Sequence, residues 1–205
     1  VHSHGDWWML PYANTNRPRI RFYEGAEGIT RVGICALDLD GFGALVDAHG
    51  AAVGDRLLLA VAGGRRFAAG EHLATRTGSD EFTLLVADPE DIAAVCRVAD
   101  RLQSALAVPF PIDGLDLVVS ASIGVSEGST THDCPMELLR AADVARSWAK
   151  ALGGGRRVMF DPHRDAGEAA RYALVAGLPT GIANGEFRLV YQPLVTLPDG
   201  RVRGA

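Results

Sequence analysis

Carboxylates in two separate stretches are the residues here whose types and spacing could do chemistry together. Asp38 and Asp40 close the run Val32-Gly33-Ile34-Cys35-Ala36-Leu37-Asp38-Leu39-Asp40, and Asp80 and Glu81 lie within Thr75-Arg76-Thr77-Gly78-Ser79-Asp80-Glu81-Phe82-Thr83-Leu84-Leu85-Val86. The first run is apolar almost throughout, the pattern of a strand buried on both faces. The second reads as two short strands joined by a tight turn at Gly78 to Glu81, with the Gly, Ser and Asp that hairpin connections favour. Alone, two acids at a hairpin tip are cheap to solvate and would be a surface turn. A carboxylate at the end of a buried strand beside that hairpin suits a divalent cation, because hard ions such as magnesium take oxygen ligands and bind phosphates at the same time. Asp40-Gly41-Phe42-Gly43 adds a glycine-bearing turn leading into a helical stretch, Ala44 to His49, whose first N–H groups are free to cradle phosphate.

The elements that must position these groups follow from the pattern of the chain. After the strand 31 to 38, Gly54-Asp55 starts a helix over Arg56 to Ala69, with Asp55 fitting an N-cap. Pro89-Glu90-Asp91 opens another helix to about Ala107, with Ile92, Val95, Val98, Ala99 and Leu102 at helical spacing. Phe110 to Ile112 and Leu115 to Val125 read as strands around a turn at Asp113-Gly114. Pro135 opens a helix to about Leu152, and Arg157 to Phe160 is a closing strand. The order predicts an α+β fold of the ferredoxin-like palm type: a central, mostly antiparallel sheet with helices packed on one face. The first strand and the hairpin sit centrally, which puts Asp38 beside Asp80. Arg164 to Asn184 reads as a helix interrupted by Gly177 and Pro179, Gly185 to Val195 as a strand, and Pro198-Asp199-Gly200 as a turn.

Bulk properties bound the function. With 205 residues, 48% of them hydrophobic, the chain can bury a full domain core and part of another. A formal charge of -5 argues against a nucleic-acid-coating protein. Cys35, Cys96 and Cys134 are odd in number and widely spaced, which suits a reducing compartment. Nothing approaches the roughly eighteen consecutive apolar residues of a membrane-spanning helix. The chain opens at Val1 and closes on Arg203-Gly204-Ala205 without a terminus signal, and reads as a piece of a longer cytoplasmic protein. Residues 1 to 28, with Trp7 and Trp8, show no sustained period and read as a linker.

Taken together, the motifs resemble a known family. Gly78-Ser79-Asp80-Glu81-Phe82 is similar to the signature of GGDEF domains, the diguanylate cyclases that join two GTP molecules into cyclic di-GMP. Asp38-Leu39-Asp40-Gly41-Phe42, Asp47, Gly50, Gly54, Asp55, Ser122-Ile123-Gly124-Val125, Ala142-Asp143, Ala149-Lys150, Gly153 and Arg156 extend the match over about 29 to 161. The tail 162 to 205, with Tyr191-Gln192-Pro193-Leu194-Val195 and Gly204-Ala205, resembles the opening of an EAL domain, the cyclic di-GMP phosphodiesterase that often follows a GGDEF domain.

The resemblance implies a reaction in which the 3′-hydroxyl of one GTP attacks the α-phosphate of another across a homodimer. It implies that Asp38, Asp80 and the backbone carbonyl of Leu39 hold Mg²⁺ or Mn²⁺, and that Asp80 or Glu81 helps activate the hydroxyl. Gly41, Phe42 and Gly43 would meet the phosphates, Lys150 would neutralise them, Asp47 and Asp55 would serve the nucleotide, and Gly78 and Ser79 would lie against it. Lys150 and Arg156, near a helix C-terminus, are equally favoured there by the helix dipole alone.

Some positions depart from the family pattern. Val46 stands for an Asn that reads guanine, Gly43 for a Lys, Gly154 for an Arg that meets phosphate, and Ser79 for the second glycine of the signature. Ala69 and His72 occupy the places of the Arg and Asp of the inhibitory product site, so no such site is expected. The expectation is therefore a degenerate GGDEF domain that binds GTP and magnesium weakly and regulates an adjacent EAL domain, in a protein with an N-terminal sensory region. An active cyclase and a non-binding scaffold are the alternatives.

Overall fold

The computed structural model describes residues 29–63, 72–197 and 201–204. The Trp7-Trp8 lead-in, Ala69 and the Pro198-Asp199-Gly200 turn lie outside them. The described residues fall into two units, one ending at Asp161 and one beginning at Pro162.

The first unit is built on β1 (Arg31–Leu39), in which every residue from Val32 to Leu39 is buried. It pairs antiparallel on one side with β3 (Glu81–Ala87) and on the other with β6 (Ala121–Ser129). β2 (Leu73–Arg76) extends the sheet beyond β3, and β7 (Arg157–Met159) pairs parallel with β6, giving the order β2-β3-β1-β6-β7. The sheet is therefore central, mostly antiparallel and flanked by helices, as expected. The strand carrying Asp38 is its middle member.

Alternation along β1 divides the core. Cys35, Leu37 and Leu39 join the larger apolar cluster, with Val53, Leu57 and Val61 of α2 (Ala51–Gly63) and Val95, Ala99 and Leu102 of α3 (Ile92–Leu106). Val32, Ile34 and Ala36 face the other way, onto Leu138, Leu139 and Ala142 of α4 (Pro135–Ala151). Helices thus cover both faces of the sheet, which corrects the expectation of one. A strand buried on both faces cannot leave either bare to water, so its apolar run already requires helices on each side.

Other boundaries differ for local reasons. α1 (Phe42–His49) begins directly after Gly41, whose φ of 71° lies in the left-handed region. α2 begins at Ala51, so Asp55 lies inside its first turns and caps nothing. Gly50 ends α1 and accepts from Val53 and Gly54, passing the chain from one helix into the next. The strand expected over Leu115 to Val125 is two. β5 (Leu115–Leu117) forms a hairpin with β4 (Phe110–Ile112), turning at Asp113 and Gly114 with φ of 53° and 80°, while β6 starts afresh at Ala121. Ser120, between them, bonds to Asp40 and so belongs to the turn after β1.

In the second unit α5 (Pro162–Ala183) runs without the expected interruption, Pro179 lying inside it. Of the expected strand over 185 to 195 only β8 (Leu194–Val195) forms, paired with β9 (Val202–Gly204). No described strand pairs with residues 186 to 193, and a strand without a partner leaves its backbone polar groups unbonded.

Candidate functional site

Asp38 is the last inward residue of β1 on the α4 face, opposite Glu81 of β3 and Ser122 of β6. The Leu39 amide donates to the Asp80 carbonyl at 3.1 Å, which joins the hairpin tip to the end of β1. Asp38, Asp80 and Glu81, separate in sequence, are thereby brought to one corner. Arg76 fixes the shape of the tip by donating to the carbonyls of Gly78 at 2.9 Å and Ser79 at 2.6 Å. The Ser79 hydroxyl donates to Asp80 Oδ1 at 2.7 Å, so the residue in place of a glycine orients the neighbouring carboxylate. A side chain at Gly78 would meet Glu81 Oε2 at 2.7 Å, so it would displace that carboxylate.

α4 supplies the cations. Lys150 Nζ lies 2.6 Å from Asp38 Oδ2, and Arg146 Nη1 lies 2.7 Å from Glu81 Oε1 and 3.5 Å from Asp38 Oδ2. Arg146 Nη2 also reaches Asp143 Oδ1 at 3.3 Å. These contacts depend on the close seat of α4 on β6: a Cβ at Gly124 would come within 1.9 Å of the Ala142 carbonyl and 2.2 Å of the Arg146 amide nitrogen. Burial pushes the Asp38 carboxyl above its ordinary value, and the Lys150 hydrogen bond and charge oppose it. Burial likewise raises Asp143, against the nearby charge of Arg146.

Asp40 has a different task. It accepts from the hydroxyls of Ser120 at 2.7 Å and Ser122 at 2.6 Å and from the Gly155 amide at 2.8 Å, tying the end of β1 to the turn after α4. Gly154 in that turn has a φ of 71°, and a side chain there would meet Asp40 Oδ1 at 2.9 Å. The turn is thus shaped for glycine where the resemblance asks for arginine.

The remaining expected residues lie on α1 and α2. Phe42 packs against the larger core, and Gly41 and Gly43 are exposed, with open space around the Cβ position of Gly43. Asp47 and Asp55 are exposed and make no polar contact among the described residues. Val46 lies in the seam between these helices, where a Cβ on Gly54 would meet its Cγ2 at 2.7 Å and the Phe42 ring at 3.2 Å. Among the described residues no three His, Cys, Asp or Glu side chains converge as a metal cage. The donor chemistry still fits magnesium, which is held by one or two carboxylates and otherwise keeps its waters or takes phosphate. Arg146 and Arg76 were missed in the sequence; the spacing Asp143, Arg146, Lys150, which puts three charges on one helix face, was the available signal.

The model of the diguanylate cyclase GGDEF domain matches residues 22–156. The chain belongs to the GGDEF family. The fold agrees with the crystal structure of the GGDEF domain of YfiN (TpbB) from Pseudomonas aeruginosa, at TM-score 0.60 and 30% identity over 64% of this chain and 83% of that one. It also agrees with an EAL/GGDEF domain protein from M. capsulatus, at TM-score 0.59 and 33% identity over 67% and 88%. Among curated relatives, the bifunctional diguanylate cyclase/cyclic di-GMP phosphodiesterase MucR of Pseudomonas aeruginosa is 33% identical over 179 residues, 85% of this chain and 25% of that protein. The chain spans 21% to 27% of the length of the first relatives it matches. Its GGDEF domain is one of cyclic di-GMP signalling, and no described helix is long and apolar enough to cross a membrane.

Proposed function

We propose that this GGDEF domain binds GTP weakly with magnesium or manganese and regulates an adjacent EAL phosphodiesterase region, in a bacterial cytoplasmic protein with a sensory region ahead of it. The divisions that go with this are a lead-in at 1–28, the GGDEF domain at 29–161, and a linker helix with the first strands of an EAL domain at 162–205. The observation that carries the reading is the α1/α2 seam, where Val46 presents methyl groups against Gly54 and Phe42. An amide that could read guanine is replaced by an apolar side chain. A nucleotide polar group left unpaired in the site costs about 1–3 kcal/mol. Two or three such groups would weaken GTP by roughly two to four decades, short of full additivity.

A second reading, an active cyclase working as a homodimer, is favoured by the convergence of Asp38, Asp80 and Glu81. In that reading Asp80 or Glu81 takes up the proton of the attacking 3′-hydroxyl, and the free N–H groups at Gly41 to Gly43 hold phosphate oxygens at the start of α1. Lys150 turns from Asp38 to the phosphates. A divalent ion held by Asp38, Asp80 and the Leu39 carbonyl would supply charge for the phosphates.

Calorimetry of GTP with Mg²⁺ on this chain and on Asp80→Ala, followed by assay for cyclic di-GMP, separates the readings. Weak binding, reduced in the variant and without product, is expected. Product that Asp80→Ala abolishes would establish the cyclase instead. No binding at roughly millimolar GTP would leave a scaffold. Cyclic di-GMP in the same instrument is expected to show no tight binding, in keeping with Ala69 and His72 at the inhibitory positions.

A further inference from the structure

We propose that Arg146 is a built-in counter-cation of this site, one that holds Glu81 and competes with a divalent ion for Asp38, and so keeps the affinity for that ion low. The inference rests on the reading of Asp38 and Asp80 as cation ligands. Its grounds are the placement of the guanidinium. Asp38 and Glu81 are cross-strand partners at the corner where the ligands meet, and Arg146 Nη1 spans both, at 3.5 Å and 2.7 Å. The third carboxylate, Asp143, is held by Nη2 from the preceding turn of the same helix.

Two properties separate Arg146 from Lys150, the other cation on Asp38. The Arg146 side chain is only 15% exposed, against 49% for Lys150, so it is walled in while the lysine is free to swing toward solvent. A guanidinium also stays protonated at any accessible pH and presents a planar fork that can bridge two carboxylates, which an ammonium does only as a point charge. An ion entering between Asp38 and Asp80 must therefore draw Asp38 away from a fixed positive charge or bind beside it. Like charges at such separations repel strongly even with a protein-like dielectric. The same guanidinium neutralises acids that would otherwise repel one another, so the corner is stable without metal.

Manganese alone, without nucleotide, is the probe, its binding to the full chain followed by the loss of the free-ion electron paramagnetic resonance signal. Arg146→Met is expected to bind Mn²⁺ at least about ten-fold more tightly than the native chain, and Arg146→Lys by an intermediate amount. Arg146→Met is also expected to melt at a lower temperature than the native chain without metal and to recover with Mn²⁺, while the native melting temperature moves little. Equal or weaker Mn²⁺ binding by Arg146→Met overturns the proposal while leaving the cation site standing. No binding by any of the proteins at millimolar Mn²⁺ overturns the cation site and the proposal together. Should Arg146→Met fail to fold, Arg146→Lys decides: affinity no higher than native overturns the proposal.

Discussion

On one face of β1, Cys35, Leu37 and Leu39 enter a large apolar cluster shared with α2 and α3; on the other, Val32, Ile34 and Ala36 give way to the carboxylate of Asp38. Both faces are closed by helices, and the closure is achieved differently. α2 and α3 contribute Leu and Val side chains, which fill space. α4 contributes Leu138 and Leu139 to a smaller apolar cluster, and Ala142 and Ala145 lie over Gly124, so its backbone comes close and its longer Arg146 and Lys150 reach the end of the strand. Both faces bury apolar side chains, and the second also positions charge. A substitution on either should reveal the difference.

A large effect is expected from Leu37→Ala. Leu37 is fully buried in the larger cluster, and truncating such a leucine costs about 2–5 kcal/mol from lost transfer and the cavity left behind. Urea unfolding should show that loss at an unchanged m value, with Mn²⁺ affinity of the folded protein unaltered. A change in ion affinity would mean that the two faces are not independent.

Gly124→Ala should cost a comparable amount, about 3 kcal/mol or more, because its methyl would meet the backbone of α4, which no side-chain rotation relieves, so the helix must shift bodily. Its signature lies elsewhere. Shifting α4 withdraws Arg146 and Lys150 from Asp38 and Glu81, so ion binding at the corner should change along with stability. Unchanged Mn²⁺ affinity in a clearly destabilised Gly124→Ala would separate the seat of α4 from the charges it carries.

These contrasts also mark how far the sequence could be read. The apolar run of β1 and the Gly-Ser-Asp turn announced the strand, the hairpin and the meeting of Asp38 with Asp80, because burial on both faces and a tight turn each have a strong local pattern. The start of α2 is not legible in Gly54-Asp55, since an acid after a glycine looks like a cap; the hand-over at Gly50 depends on the backbone of α1, which no side chain advertises. β5 and β6 read as one strand because Val118 and Val119 continue the apolar pattern, and only the bonds between Ser120 and Asp40 mark the break. Residues 186 to 193 had strand-like composition but no described strand to pair with. Arg146 does not stand out in the sequence because an arginine in mid-helix is ordinarily solvated. Its burial follows from where Gly124 lets α4 sit, a tertiary fact.

The smallest expected effect lies at the far end of β1, away from both comparisons, and tests whether the sheet is uniformly held. Asp88, following β3 with a φ of 48°, accepts at Oδ1 from the amides of Thr30 and Arg31 at 3.0 and 3.2 Å and from the Thr30 hydroxyl at 3.1 Å. Those hydrogen bonds, led by the Thr30 amide, hold its carboxyl below the ordinary value. An acid depressed in the folded state binds fewer protons there than in the unfolded chain, so its contribution is present above the unfolded value, about 3.9, and is lost as pH falls through the lower folded value. Asp88→Asn keeps a side chain that tolerates the left-handed backbone and removes the charge. Its melting temperature should lie slightly below the native one at neutral pH, and the gap should close as both are titrated below about pH 4. A gap that is constant with pH would mean that shape, and not the charged acceptor, matters at this end of the strand.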